Sequence, residues 1–248
     1  MKRLLLVVLP VLLSAATAAA QPTYRLGLRG GLNRASTTLA AASNSPDSYP
    51  IGYSGTKSAI YAWQAGAALE IAFRHFALQP ALLFSQKGDL FTTITSGSGG
   101  FGVTNTQESR VTSRSNWLEL PVNVVYSWRG FQAFAGPYLA MAVGGQQRGQ
   151  VSGTSPSVRY GSYEYTYSGQ LNYGSDTQNR RFDAGLNVGV GYRRGPLQAQ
   201  LGYGIGLLNL HQPISGYVIS ENPYYHDFNA DAAYSRVVQL TGTYFFEL

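Results

Sequence analysis

The sequence predicts an all-β protein: an eight-stranded antiparallel up-and-down transmembrane β-barrel with short periplasmic turns and four long extracellular loops. Three observations carry this. Apolar residues recur at every second position from Tyr24 onward, the strand period rather than the helical 3.6. The connections between the alternating segments are short and long by turns. The polar positions are also the small ones, so the bulk of each segment lies on one face. Composition agrees: 248 residues include 29 Gly, 18 Tyr and 11 Phe, and only 12 % are charged, about half the share of an ordinary soluble domain.

In the first strand Tyr24, Leu26, Leu28 and Leu32 oppose Arg25, Gly27, Arg29 and Asn33. The second sets Tyr61, Trp63, Leu69 and Ile71 against Gln64, Gly66 and Glu70; the third sets Phe76, Leu78, Leu82 and Phe84 against Gln79, Ser85 and Lys87. In the fourth, Leu118, Leu120, Val122, Val124 and Tyr126 oppose Glu119 and Asn123. The fifth is read with Leu139, Met141 and Val143 outward and Gln132 and Tyr138 inward. The sixth is the cleanest: Phe182, Ala184, Leu186, Val188, Val190 and Tyr192 face away from Arg181, Asp183, Gly185, Asn187, Gly189 and Arg193. The seventh alternates Leu201, Tyr203 and Ile205 with Gln200, Gly202 and Gly204, and the last alternates Val238, Leu240, Tyr244 and Phe246 with Gln239, Thr241 and Thr243. Pro80 and Pro121 strain this assignment, since each lacks an N–H for the ladder and calls for a bulge or a rim position.

Strands two and three, four and five, and six and seven are joined by tight hairpins. The other four connections, residues 34–60, 88–115, 144–180 and 211–233, each exceed twenty residues and are rich in Ser, Gly, Thr, Asn and Tyr. Connections in compact soluble domains are mostly 2–6 residues. Long loops at one end and short turns at the other fit a membrane barrel better. Alternation alone does not say which face is wet, but size does. An eight-stranded barrel is just wide enough inside for side chains to fill, so the face of Gly and a few long polar residues suits the lumen. The large apolar face then meets lipid, with Tyr24, Tyr61, Phe76, Tyr126, Trp128, Phe131, Tyr192, Tyr244 and Phe246 as interfacial girdles.

Residues 1–20 read as a cleaved signal peptide: Lys2 and Arg3, an apolar run, then Ala18 and Ala20 before Gln21. Residues 21–248 form the barrel domain. Losing Lys2 and Arg3 takes the net charge from +6 to +4, too mild and too dispersed for nucleic acid. The absence of Cys excludes a disulfide scaffold, a thiol nucleophile and a lipidated N-terminal Cys. No pattern calls for a cofactor or metal. The expected partners are outer-membrane lipid, the barrel-assembly machinery during insertion, and an unidentified extracellular or envelope protein.

YRLGLRGGLN, the W-x-A-G strand ending in LEIAF, FALQPALLFSQKG, WLELPVNVVY, FAGPYLA, FDAGLNVGVGY and LGYGIGLLNL, in that order, resemble the outer-membrane β-barrel domain of the PorT-like "porin family" proteins of Bacteroidetes-type bacteria. The resemblance runs from about Tyr24 to Leu248. It implies an eight-stranded outer-membrane barrel with no catalytic residues. The chain departs from bacterial barrels in ending on Leu248, where a terminal Phe is commoner, and in its Tyr-rich third loop.

Arg25, Arg29, Glu70, Lys87, Glu119, Arg181, Asp183 and Arg193 are the candidate lumen network. In so narrow a barrel such charges must pair, because an unpaired buried ion costs several kcal/mol; a plug is favoured over a gated pore. In the third loop, Tyr160, Tyr163, Tyr165, Tyr167 and Tyr173 read either as a recognition surface or as a ladder stabilising a hairpin above the membrane. A rim hydrolase built from His211 or His226 with Ser215 or Asp227 is the weakest reading, since no nucleophile-elbow or metalloprotease motif is present, and His75 lies in a periplasmic turn. The expected function is a non-enzymatic outer-membrane barrel with a structural or surface-interaction role. A narrow transport channel or a secretion-machinery component is the alternative.

Overall fold

Alternation along the chain becomes a closed ring. The computed structural model describes residues 22–38, 51–98, 104–154, 161–174, 177, 179–211 and 232–247. Its strands are β1 (Thr23–Thr37), β2 (Ile51–Ala72), β3 (Phe76–Ser98), β4 (Thr104–Trp128), β5 (Phe131–Thr154), β6 (Ser162–Gln170), β7 (Phe182–Arg194), β8 (Leu197–Gly206) and β9 (Ser235–Glu247). Neighbours run β4-β3-β2-β1-β9-β8-β7-β5, and the β4–β5 pairing closes an antiparallel ring of eight. The ninth strand, β6, lies outside the ring. It pairs with the upper part of β5 (Gln146 to Thr154), whereas β7 pairs with the lower part (Phe131 to Met141).

The ring is inside-out. Leu28, Leu139 and Leu240 are exposed at 63, 64 and 56 %, while Asn33, Gln79 and Ser85 are fully buried. Every aromatic residue expected in the girdles is exposed. Eight of the nine cluster at the short-turn end, where Phe76 packs on Tyr126 and Phe131 on Tyr192, while Tyr61 marks the opposite border near Trp63. At the short-turn end Arg129 and Gly130 both take positive φ (52° and 89°), which matches the right-handed twist of the strands that they join. No helix among the described residues is long and apolar enough to cross a membrane.

Three connections expected as loops are largely strand. β2 to β5 run 22 to 25 residues, whereas crossing a bilayer takes about 9–11. Their upper halves leave the belt together and, with β6, form a five-stranded sheet beyond it. A register shift marks the departure on each side, between Ala59 and Gln64 of β2 and opposite Asn116/Trp117, where β5 skips Val143. Above Val143 the parity of β5 reverses, so that Gly149, Val151 and Gly153 are covered in place of the even positions below.

Pro80 and Pro121 need neither a bulge nor a rim. Each sits mid-strand with its register unchanged, and the ladder toward one neighbour loses two residue pairs: 69–70 with 79–80 for Pro80, and 81–82 with 120–121 for Pro121. Pro137 interrupts β4–β5 in the same manner. One absent N–H removes one bond, and in antiparallel pairing the other side of the strand is unaffected.

Candidate functional site: a filled lumen and a cup above it

The inward residues assemble in layers. Nearest the short turns, Glu70 of β2 receives Arg25 of β1 at 2.8 Å, Arg193 of β7 at 2.5 Å and the Gln79 amide at 2.7 Å. Arg29 extends this cluster upward, donating to Thr243 Oγ1 at 3.0 Å and to Gln79 Oε1 at 3.3 Å. Arg193 also lies 4.8 Å from the Phe245 ring. Glu70 is 1 % exposed, and its cations come from strands on both sides of the ring. Below them a vestibule of about 900 Å³ opens between the turns, lined by Arg74, His75, Ser127 and Pro196 among others.

The middle layer is made of amides. Asn33 donates to Ser85 at 3.1 Å, and Gln198 donates to Gln132 at 2.7 Å. Gln64, Asn123, Asn187 and Gln200 line a void of about 10 Å³, no more than a single water needs. Inward glycines make room for inward rings: a Cβ at Gly189 would stand 2.5 Å from Phe134 Cζ, and one at Gly27 2.8 Å from Phe245 Cδ1.

The top layer pairs Lys87 with Glu119 at 2.7 Å, sets the Lys87 ammonium 4.6 Å from the Tyr138 ring, and has Tyr138 donate to Asp183 at 2.9 Å. Trp117 covers it, 3 % exposed. Above Trp117 a cup of about 560 Å³ is walled by Phe91, Tyr167, Tyr173, Leu210, Lys57 and Arg180. In its wall Lys57 lies 3.8 Å from Asp89, which also accepts the Thr37 hydroxyl, and Tyr173 donates to Ser115 Oγ at 2.6 Å. Burial pushes the Tyr173 phenol above its ordinary pKa, the Ser115 contact opposing the shift.

Seven of the eight expected lumen residues therefore meet in two clusters. Arg181 does not: it is exposed, one residue before β7 begins at Phe182 and beyond the last β5–β7 residue pair, although its carbonyl still accepts from Ala142 N–H at 2.8 Å. Tyr163, Tyr165 and Tyr167 stand on β6, exposed, with Tyr163 and Tyr167 opposite Gly153 and Gly149. Tyr173 lines the cup, and Tyr160 lies outside the described residues. His211 is at the cup and His75 at the far vestibule; Ser215, His226, Asp227 and the leader at residues 1–20 also lie outside the described residues. The lumenal rings Trp117, Phe134 and Phe245 follow from strand parity but not from residue type, which pointed aromatics outward.

The sequence profile of the outer membrane protein β-barrel domain matches residues 16–212, most of the chain. The chain belongs to that family. No curated protein matches it. Among solved structures, Neisserial surface protein A is similar at 8 % identity over 89 % of this chain and 97 % of that one, with a TM-score of 0.38. The attachment invasion locus protein Ail of Yersinia pestis, in complex with the heparin analogue sucrose octasulfate, is similar at 8 % identity over 90 % and 99 %, with a TM-score of 0.37. The outer membrane channel DcaP of Acinetobacter baumannii follows at 9 % over 93 % and 98 %, with a TM-score of 0.24. As an outer membrane protein β-barrel, the molecule sits in the bacterial outer membrane. Its Leu-rich belt lies in the hydrocarbon, its short turns face the periplasm, and its projecting sheet stands outside the cell.

Proposed function

We propose that this outer-membrane barrel is a non-enzymatic, closed anchor whose projecting sheet binds an extracellular or envelope protein. The observation that carries the reading is β6. Its nine residues, SYEYTYSGQ, are all exposed; one edge pairs with β5, and no described strand pairs with the other. Open edges recruit strands from other chains, and proteins guard against this with Lys, Pro or bulges. β6 has no Lys, Pro or bulge, and its one charged side chain, Glu164, accepts from Gln150 of β5 at 2.6 Å. Three tyrosines on its inner face offer rigid amphipathic contact area beside the free edge.

The closed lumen supports the anchoring half of the proposal. Glu70 and Glu119 are held by cations and Asp183 by the Tyr138 phenol, all at about 1 % exposure in a packed interior that offers a substrate little access. Residues 1–20 act in this reading as the export signal, and insertion uses the barrel-assembly machinery. The ordered strand sequences that resemble PorT-like proteins support placing the chain in that branch of the family.

The test has two arms. In a planar bilayer the purified protein gives no steady open current; a stable ion conductance makes it a channel and refutes the closed anchor. A photo-crosslinking residue at Thr166, on the free strand, captures one discrete partner on intact cells, while the same residue at lipid-facing Leu28 captures none. Equal patterns at both positions refute the surface role.

A further inference from the structure

The cup above Trp117 is a blind pocket. Its floor, Trp117, is 3 % exposed, and beneath it the Lys87–Glu119 pair and the Tyr138 ring fill the barrel. Its volume of about 560 Å³ falls within the roughly 300–1,000 Å³ of small-molecule sites.

Strand parity decides what lines it. Above the belt the inward positions carry rings and hydroxyls in place of the ions and amides of the lumen: Phe91 and Thr93 on β3, Ser113 and Ser115 on β4, and Gln147 on β5. Tyr167 and Tyr173 complete the wall, and both are held in place. A Cβ at Gly149 would collide with the Tyr167 ring, so that ring lies across the strand opposite it. Tyr173 meets Trp117 edge-on, with the ring centroids 6.0 Å apart, and is tied to Ser115. Rings fixed before a ligand arrives lose little freedom when it binds.

An occupant must offer this wall apolar faces for the rings and hydrogen-bonding groups for the side chains between them. A hydrocarbon leaves the Ser113 hydroxyl and the Gln147 amide dry, at a cost. An extended peptide gains its grip by pairing with a strand edge, but β3, β4 and β5 are each paired on both sides at this height, so none of them turns an edge to the cup. A pyranose ring has C–H faces and a rim of hydroxyls, which is the chemistry this wall asks for. Charge narrows the class. Asp89 is the one carboxylate among the described lining residues, and Lys57 lies 3.8 Å from it. Arg180 also lines the cup, is exposed, and makes no ion pair with a described residue. The cup therefore carries a surplus cation whose planar fork suits a carboxylate.

We propose that the cup binds the end of a saccharide bearing a uronic-acid carboxylate, with pyranose faces against Phe91, Tyr167 and Tyr173, hydroxyls on Ser113 and Gln147, and the carboxylate on Arg180. This is a second site. Tyr167 borders both, but filling the cup requires no partner at the β6 edge.

The test is titration calorimetry of the whole folded protein in detergent micelles, with trigalacturonate as the probe. Saturable binding is expected, with the methyl-esterified trimer about tenfold weaker, because it keeps the sugar rings and loses the charge-assisted pair. Triglutamate, which has carboxylates and no sugar ring, is expected not to bind. Arg180→Gln is expected to weaken trigalacturonate by about the same tenfold and to leave the ester unchanged, whereas Tyr167→Ala weakens both sugars alike. Arg110→Gln, on the opposite face of β4 from the cup, serves as the folded control and retains full affinity. No saturable binding at millimolar trigalacturonate, equal affinity for the ester or for triglutamate, or an Arg180→Gln variant that keeps the preference for the acid each overturns the proposal.

Discussion

Replacing Glu70 with Ala destabilises the barrel by about 3 kcal/mol in urea unfolding from vesicles, the low end of the range for removing one partner of a buried ion cluster. The carboxylate is 1 % exposed and holds Arg25, Arg193 and Gln79 at once. Without it Arg29, itself 5 % exposed, keeps only neutral partners. Arg25 and Arg193 can recover water from the vestibule, their side chains being 25 % and 18 % exposed, which keeps the loss from the upper end. Glu70→Gln retains an acceptor for both guanidinium groups and costs about half as much. A Glu70→Ala loss below about 0.5 kcal/mol, the range of an exposed pair, means that the lower lumen is open to water and the packed interior described here is wrong.

Gly66→Ala prevents folding, or lowers stability by more than about 3 kcal/mol. A methyl at Gly66 stands 2.0 Å from the Leu82 carbonyl oxygen and 2.8 Å from Leu83 Cα. Both are backbone atoms of the neighbouring strand, so no side-chain rotation relieves the contact. Gly242→Ala is the matched control: nothing lies within 4 Å of its Cβ, and the change is neutral or slightly stabilising through the unfolded chain. Heat-modifiable migration on gels and the urea midpoint separate the two. If both variants fold alike, the strand spacing at Gly66 is wider than described.

Where lipid presses on one face and a packed lumen on the other, the residues had to alternate, and parity together with side-chain size located Glu70, Glu119 and Asp183 inside and Leu28, Leu139 and Leu240 outside. Beyond the belt both faces are wet. Stretches such as TTITSGS and RVTSRS have no apolar period to betray them, and they read as loop although Thr, Val and Ile favour strands. The Tyr163–Tyr165–Tyr167 alternation was the exception, and it lies on β6. Arg181 followed the parity of β7 on paper but sits where the pairing has ended. Pro80 and Pro121 looked disruptive because sequence does not tell which neighbour each N–H would have reached.

The claim beneath all of this is that the large apolar face meets lipid and the polar face fills the centre. The chain has three tryptophans, and they divide between the two faces: Trp63 and Trp128 are 48 % and 56 % exposed on the outer wall, and Trp117 is 3 % exposed in the lumen. Single-tryptophan variants, with the other two changed to Phe, can be folded into vesicles of brominated phosphatidylcholine and their fluorescence compared with that in the unbrominated lipid. Strong quenching of Trp63 and Trp128 with Trp117 nearly untouched is the result that the inside-out barrel predicts. Quenching of Trp117 as strong as that of Trp63 contradicts it.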